Sequence, residues 1–195
     1  MPRRKRLQGQ TEFYHWINRG INQKKLFHKT LDFERFLSLI KEHSRQFEIK
    51  LFHYCLMSNH AHLLISSNDL ESMAKFSQYI QRRYAYYYCK TYKWRGQVFQ
   101  RMYRSIPIEK DSYLLECGRY IERNPVRANI VKLPEEYPYS SYCFYAFGKK
   151  GDILELSPAY LGISDNPKIR QGEYRAYVGQ DRLYEKIVDE AILKK

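Results

Sequence analysis

Tyr54-Cys55-Leu56-Met57-Ser58-Asn59-His60-Ala61-His62-Leu63-Leu64-Ile65 reads as two apolar strands joined by a tight turn at Ser58-Asn59. Side chains alternate faces along a strand, so residues two apart point the same way. Ala61, Leu63 and Ile65 are therefore expected in a core, with His60 and His62 projecting together from the other face. Two convergent imidazoles on a rigid strand make a half-site for a divalent metal. Taken alone, such a pair is more often one half-buried and one hydrogen-bonded surface histidine, so the flanking sequence has to decide.

Outward from this hairpin, residues 12–18 (EFYHWIN) read as an aromatic, β-branched strand ending at Arg19-Gly20. Asp32 is expected to cap a helix bearing Phe33, Phe36, Leu37 and Ile40 at i, i+3, i+4 and i+7. Residues 49–57 and 61–66 are the hairpin strands, and 70–92 form a long helix broken at Arg95-Gly96. Residues 98–108 contain a fourth strand, and Asp111 opens a further helix with Leu114, Leu115, Gly118 and Ile121 on its apolar side. The order strand, helix, strand, strand, helix, strand predicts an α+β, ferredoxin-like split βαβ fold. In it an antiparallel sheet carries helices packed on one face. A first domain over 1–147 and a helical C-terminal extension over 148–195 are expected, the latter with helices at 168–177 and 181–193.

The chain has 195 residues, 44% of them hydrophobic, which suits one domain with a real core and argues against disorder. No apolar run approaches the ~20 residues of a membrane helix, and the start Met-Pro-Arg-Arg-Lys-Arg is not a secretory signal. Cys55, Cys89, Cys117 and Cys143 form no Cys-x-x-Cys pair and read as reduced thiols of a cytoplasmic protein. The net charge of +13 and the 19 tyrosines favour a polyanion with unpaired bases over a membrane surface. Residues 72–108 contain no acidic residue, but hold eight basic and ten aromatic ones. Arg82, Arg83, Lys93, Arg95, Arg101 and Arg104 of this stretch, with Arg19, are the expected DNA contacts. Some aromatics must be core, since Phe76, Tyr79, Ile80 and Tyr87 fall at helical spacing.

Several segments together resemble the single-tyrosine HUH transposases. They are Tyr14-His15-Trp16-Ile17-Asn18-Arg19-Gly20, the hairpin above, Arg95-Gly96-Gln97-Val98-Phe99-Gln100-Arg101, Tyr120-Ile121-Glu122-Arg123-Asn124-Pro125-Val126-Arg127-Ala128 and Tyr139-Ser140-Ser141-Tyr142. The branch they most resemble is the REP-associated tyrosine transposases. Ser58, where Pro is common, is a departure that alters only the turn. The resemblance implies cleavage and rejoining of single-stranded or hairpin DNA through a 5′-phosphotyrosine. It implies Tyr120 as nucleophile, and His60, His62 and Asn124 as ligands of Mg2+ or Mn2+. No nucleotide cofactor is expected, and the choice between monomer and homodimer stays open.

The spacing agrees with that assignment. Tyr120 and Asn124 are four apart, hence on one helical face. Gly118 should let their helix approach the sheet, and Pro125 is expected to end it at Asn124. Tyr113 is the rival nucleophile, while His15, His28, His43 and His53 read as structural or surface residues. A catalytically retired DNA- or RNA-binding relative is the alternative function. A His-x-His metallohydrolase would need further Asp or His ligands that no cluster supplies.

Overall fold

The computed structural model describes residues 11–100, 102–109 and 111–180. The basic N-terminal run, Arg101 and the helix expected over 181–193 lie outside the described residues. Four strands, β1 (Phe13–Arg19), β2 (Lys50–Met57), β3 (His60–Ser66) and β4 (Arg104–Pro107), form one sheet in the order β2-β3-β1-β4. Every neighbouring pair is antiparallel. This is the ferredoxin-like arrangement, with α1 (Thr30–His43) crossing from β1 to β2 and α2 (Leu70–Tyr92) from β3 to β4.

The pleat sorts the hairpin as its pattern requires. Ala61, Leu63 and Ile65 are buried with Trp16 and Leu56 beneath Phe36, Leu39 and Ile40 of α1 and Met73, Phe76 and Ile80 of α2. That side is the expected helix layer. Asp32 sits one turn inside α1 rather than ahead of it. Its Oδ2 accepts from the His28 and Lys29 backbone N–H groups, which caps the helix start from within. The same carboxylate accepts from the hydroxyls of Tyr87 and Tyr92, so these rings anchor α2 to α1. Tyr84 and Tyr88 are buried, leaving Tyr86 (69% exposed) as the outward-facing tyrosine of this group.

The other face of the sheet carries α3 (Asp111–Arg127), with Leu114, Cys117, Tyr120 and Ile121 packed on Ile17, Cys55, Met57 and Leu64. Pro125 does not end this helix. Proline supplies no N–H to the Ile121 carbonyl, and the Asn124 amide nitrogen donates to it instead (3.2 Å), as well as to the Tyr120 carbonyl (2.8 Å). The helix therefore runs on to Arg127.

Gly118 sets how close α3 comes. A Cβ built there would stand 2.7 Å from the His53 ring, which is itself fully buried on β2. Gly118→Ala should cost about 1–3 kcal/mol through overpacking, of which the better helix propensity of alanine returns up to about 1 kcal/mol. The melting temperature is expected to fall by roughly 2–4 °C per kcal/mol. An unchanged melting curve would show that α3 is free to move outward.

Beyond α3 the chain packs back. The segment 139–141 lies along β2, with Leu56 N–H donating to the Tyr139 carbonyl and Ser141 N–H to the Tyr54 carbonyl, which covers that sheet edge. Helices α4 (Tyr142–Phe147), α5 (Pro158–Leu161) and α6 (Pro167–Gly179) then build a core of Tyr142, Tyr145, Tyr160, Tyr174 and Val178. Arg119 and Arg123 of α3 donate to the carbonyls of Tyr177 and Val178 and join α6 to α3.

Candidate active site

β3 presents His60 and His62 on the face that α3 covers. Register places Arg19 beside His60 and Ile17 beside His62 on β1, with His15 two residues back on the same face. The two imidazoles meet edge to face, 4.9 Å between centroids. His60 Nδ1 lies 2.6 Å from Asn59 Oδ1, an acceptor, so His60 donates there and keeps its Nε2 lone pair. His62 Nδ1 lies 2.9 Å from His15 Nε2. A proton on His62 Nδ1 would leave its Nε2 as the ligating atom, oriented by His15.

Burial lowers the pKa of His15 to about 3. Burial, then the nearby Arg19 charge, lowers His60 to about 4. His62 is pushed well down by burial first, then by His60, His15, Arg19 and Arg127. All three are neutral at pH 7, the state in which imidazole binds a metal.

Tyr120 projects from α3 into this group. Its ring stands 5.7 Å from that of His15 and 5.8 Å from that of His62, edge-on to both. The residue is 3% exposed. Arg127 closes the other side, its Cζ 4.9 Å from the Tyr120 ring centroid. Asn124 lies one turn along on the same helical face. Its amide nitrogen donates to two backbone carbonyls, which leaves Oδ1 as the atom that could meet a ligand. Among the described residues no group of three or more His, Cys, Asp or Glu is arranged for a metal. The available donors are two neutral imidazoles and an amide oxygen, which suit a divalent cation whose shell is completed by water and phosphate oxygen.

Residues 10–124 match the protein-family model described as "Transposase IS200 like". The chain belongs to the IS200-like transposase family. Among solved structures, the transposase is similar to one described as the REP-associated tyrosine transposase bound to a REP hairpin. The identity is 14%, the TM-score 0.64, and the match covers 80% of this chain and 93% of that one. A putative transposase from Deinococcus radiodurans matches at 16% identity and TM-score 0.43, over 63% of this chain and 97% of that one. No curated protein matches the chain.

The expected DNA contacts of the transposase do not fall in one place. Arg19 on β1 pairs with His60, on the histidine face. Arg104 on β4 pairs with Ile17, so its side chain leaves the sheet on the histidine face. Arg82 and Arg83 on α2, and Lys93 and Arg95 just past its end, are exposed in the layer on the opposite face. Two residues at the site escaped sequence reading. His15 differs from any strand histidine only by register, and Arg127 shares a face with Tyr120 and Asn124 only because α3 continues through Pro125. Among the described residues no helix is long and apolar enough to cross a membrane.

Proposed function

We propose that this transposase cuts and rejoins single-stranded or hairpin DNA by transesterification, with Tyr120 as nucleophile and His60, His62 and Asn124 as ligands of Mg2+ or Mn2+. The observation that carries this reading is the position of the Tyr120 ring against the His15–His62 pair. Nucleophile and candidate metal donors arrive from different elements, α3 and β3, at one point.

The Tyr120 oxygen attacks the scissile phosphorus. The Oη–P bond forms, the P–O3′ bond breaks, the phenol proton passes to solvent and the departing 3′-oxygen takes one up. The product is a 5′-phosphotyrosine and a free 3′-hydroxyl. Attack by a strand's 3′-hydroxyl on that link reverses the exchange and rejoins DNA. One phosphodiester replaces another, so no nucleotide cofactor is consumed. An ordinary phenol titrates near ~10 and is a weak nucleophile at pH 7. A bound divalent cation would supply Lewis-acid polarisation of a non-bridging oxygen.

Arg19 and Arg104 suit phosphates next to the cleaved linkage, and Arg82, Arg83, Lys93 and Arg95 suit backbone farther along the nucleic acid. The hairpin bound in the similar structure supports a folded DNA strand as substrate. Incubation with a single-stranded oligonucleotide and Mn2+ should give a protein–DNA species that survives denaturing electrophoresis. Chelation by EDTA, or His60→Ala, should reduce it to background with little change in binding. Equal adduct yields with and without chelator would remove the metal from the mechanism.

A further inference from the structure

We propose that Arg127 is a catalytic residue that grips a non-bridging oxygen of the phosphate while Tyr120 attacks it. The inference rests on the transesterase reading above and adds to it a cation from the end of the nucleophile's own helix.

Tyr120, Asn124 and Arg127 stand at i, i+4 and i+7, one above another on α3. The Arg127 guanidinium lies over the Tyr120 ring at 4.9 Å, while the same ring meets His15 and His62 at its edges. Through that ring it joins the histidine cluster and does not stand in a separate surface patch. The placement depends on the helix surviving Pro125, which the Asn124 side chain secures through the Ile121 carbonyl. A helix ending at Asn124 would leave Arg127 in a loop.

The chemistry fits the position. A phosphodiester carries one negative charge over two non-bridging oxygens, and that charge concentrates on them as the fifth bond to phosphorus forms. A guanidinium over an aromatic ring lends its charge through its face, while its N–H donors lie in plane and match two phosphate oxygens. Arg19 adds a second cation, at the β1 position paired with His60. A phosphate held between Tyr120 and the histidines would therefore have two arginines nearby.

The competing explanation is that Arg127 only props the Tyr120 ring. A neutral phosphate separates the two. Once the cleaved linkage is mapped, adduct formation is timed on oligonucleotides carrying there either the natural diester or a methylphosphonate. Wild type, Arg127→Ala and Arg127→Lys are compared with Mn2+ present. On the diester, Arg127→Ala should be slower by about 100-fold or more, with partial recovery in Arg127→Lys and a much smaller change in oligonucleotide binding. On the methylphosphonate, the loss in Arg127→Ala should be far smaller than on the diester, because the ground-state charge and one of the two non-bridging oxygens that Arg127 serves are gone. An equal loss on both substrates, or no loss on the diester, overturns the proposal. Failure of the underlying reading looks different: Tyr120→Phe would still form the adduct.

Discussion

Tyr120→Phe should abolish covalent capture of single-stranded DNA and leave its binding intact. The substitution removes one oxygen and keeps the ring that packs on Ile17, Leu64 and Ile121 and meets His15, His62 and Arg127. The fold therefore has no reason to change, and the phosphate contacts proposed for Arg19 and Arg104 should remain. Only the atom proposed to form the bond to phosphorus is lost. Binding measured by fluorescence anisotropy should match wild type, while denaturing gels show no shifted band. Tyr113 is the control. It lies two helical turns earlier on α3 and is 45% exposed, whereas Tyr120 is held among the imidazoles. Tyr113→Phe should keep the adduct. Persistence of the adduct in Tyr120→Phe would move the nucleophile elsewhere and undo the assignment of the site.

The largest stability effect should come from Glu122→Ala. Glu122 is fully buried on α3 and its carboxyl collects three partners. His53 Nδ1 lies 2.9 Å from Oε1, Ser141 Oγ donates to Oε1 at 2.6 Å, and Tyr174 Oη donates to Oε2 at 2.7 Å. These come from β2, from the segment on the sheet edge and from α6, so one side chain ties α3 to three parts of the molecule. The His53 ring is further stacked on Tyr145 at 4.1 Å. Removing the carboxyl strands all three donors away from water, and breaking such a buried cluster from one side costs about 3–5 kcal/mol. Tyr174→Phe removes one bond to a carboxyl, worth about 1.5–3 kcal/mol, and should fall between. Urea denaturation measures both. Equal midpoints for wild type and Glu122→Ala would show that α3 and the C-terminal helices do not depend on this cluster.

Much of the frame was legible because strand alternation and helical spacing are local. The hairpin at 54–65, the helix at 70–92 and the split βαβ order needed only the apolar pattern and the Ser58-Asn59 turn. The close approach at Gly118 was legible too, since a glycine in an apolar helical face has few other uses. The tyrosines of α2 were harder. Tyr84, Tyr86, Tyr87, Tyr88 and Tyr92 look alike in sequence, and their burial depends on where Asp32 and residues 24–28 come to lie. The end of α3 was misread for a related reason. Proline's local rule was sound, but a side chain one residue earlier supplied the missing donor.

By itself the sequence determined the elements, the shared face of His60 and His62, and the one-turn spacing of Tyr120 and Asn124, because each follows from backbone periodicity over a few residues. Only tertiary structure decided that His15 meets His62, that Arg127 covers Tyr120, and that Arg82, Arg83, Lys93 and Arg95 sit on the opposite layer from the histidines. Those relations join residues far apart along the chain or depend on how a helix end is capped. They are set by strand register and by which face of the sheet each helix buries, and neither is written in local spacing.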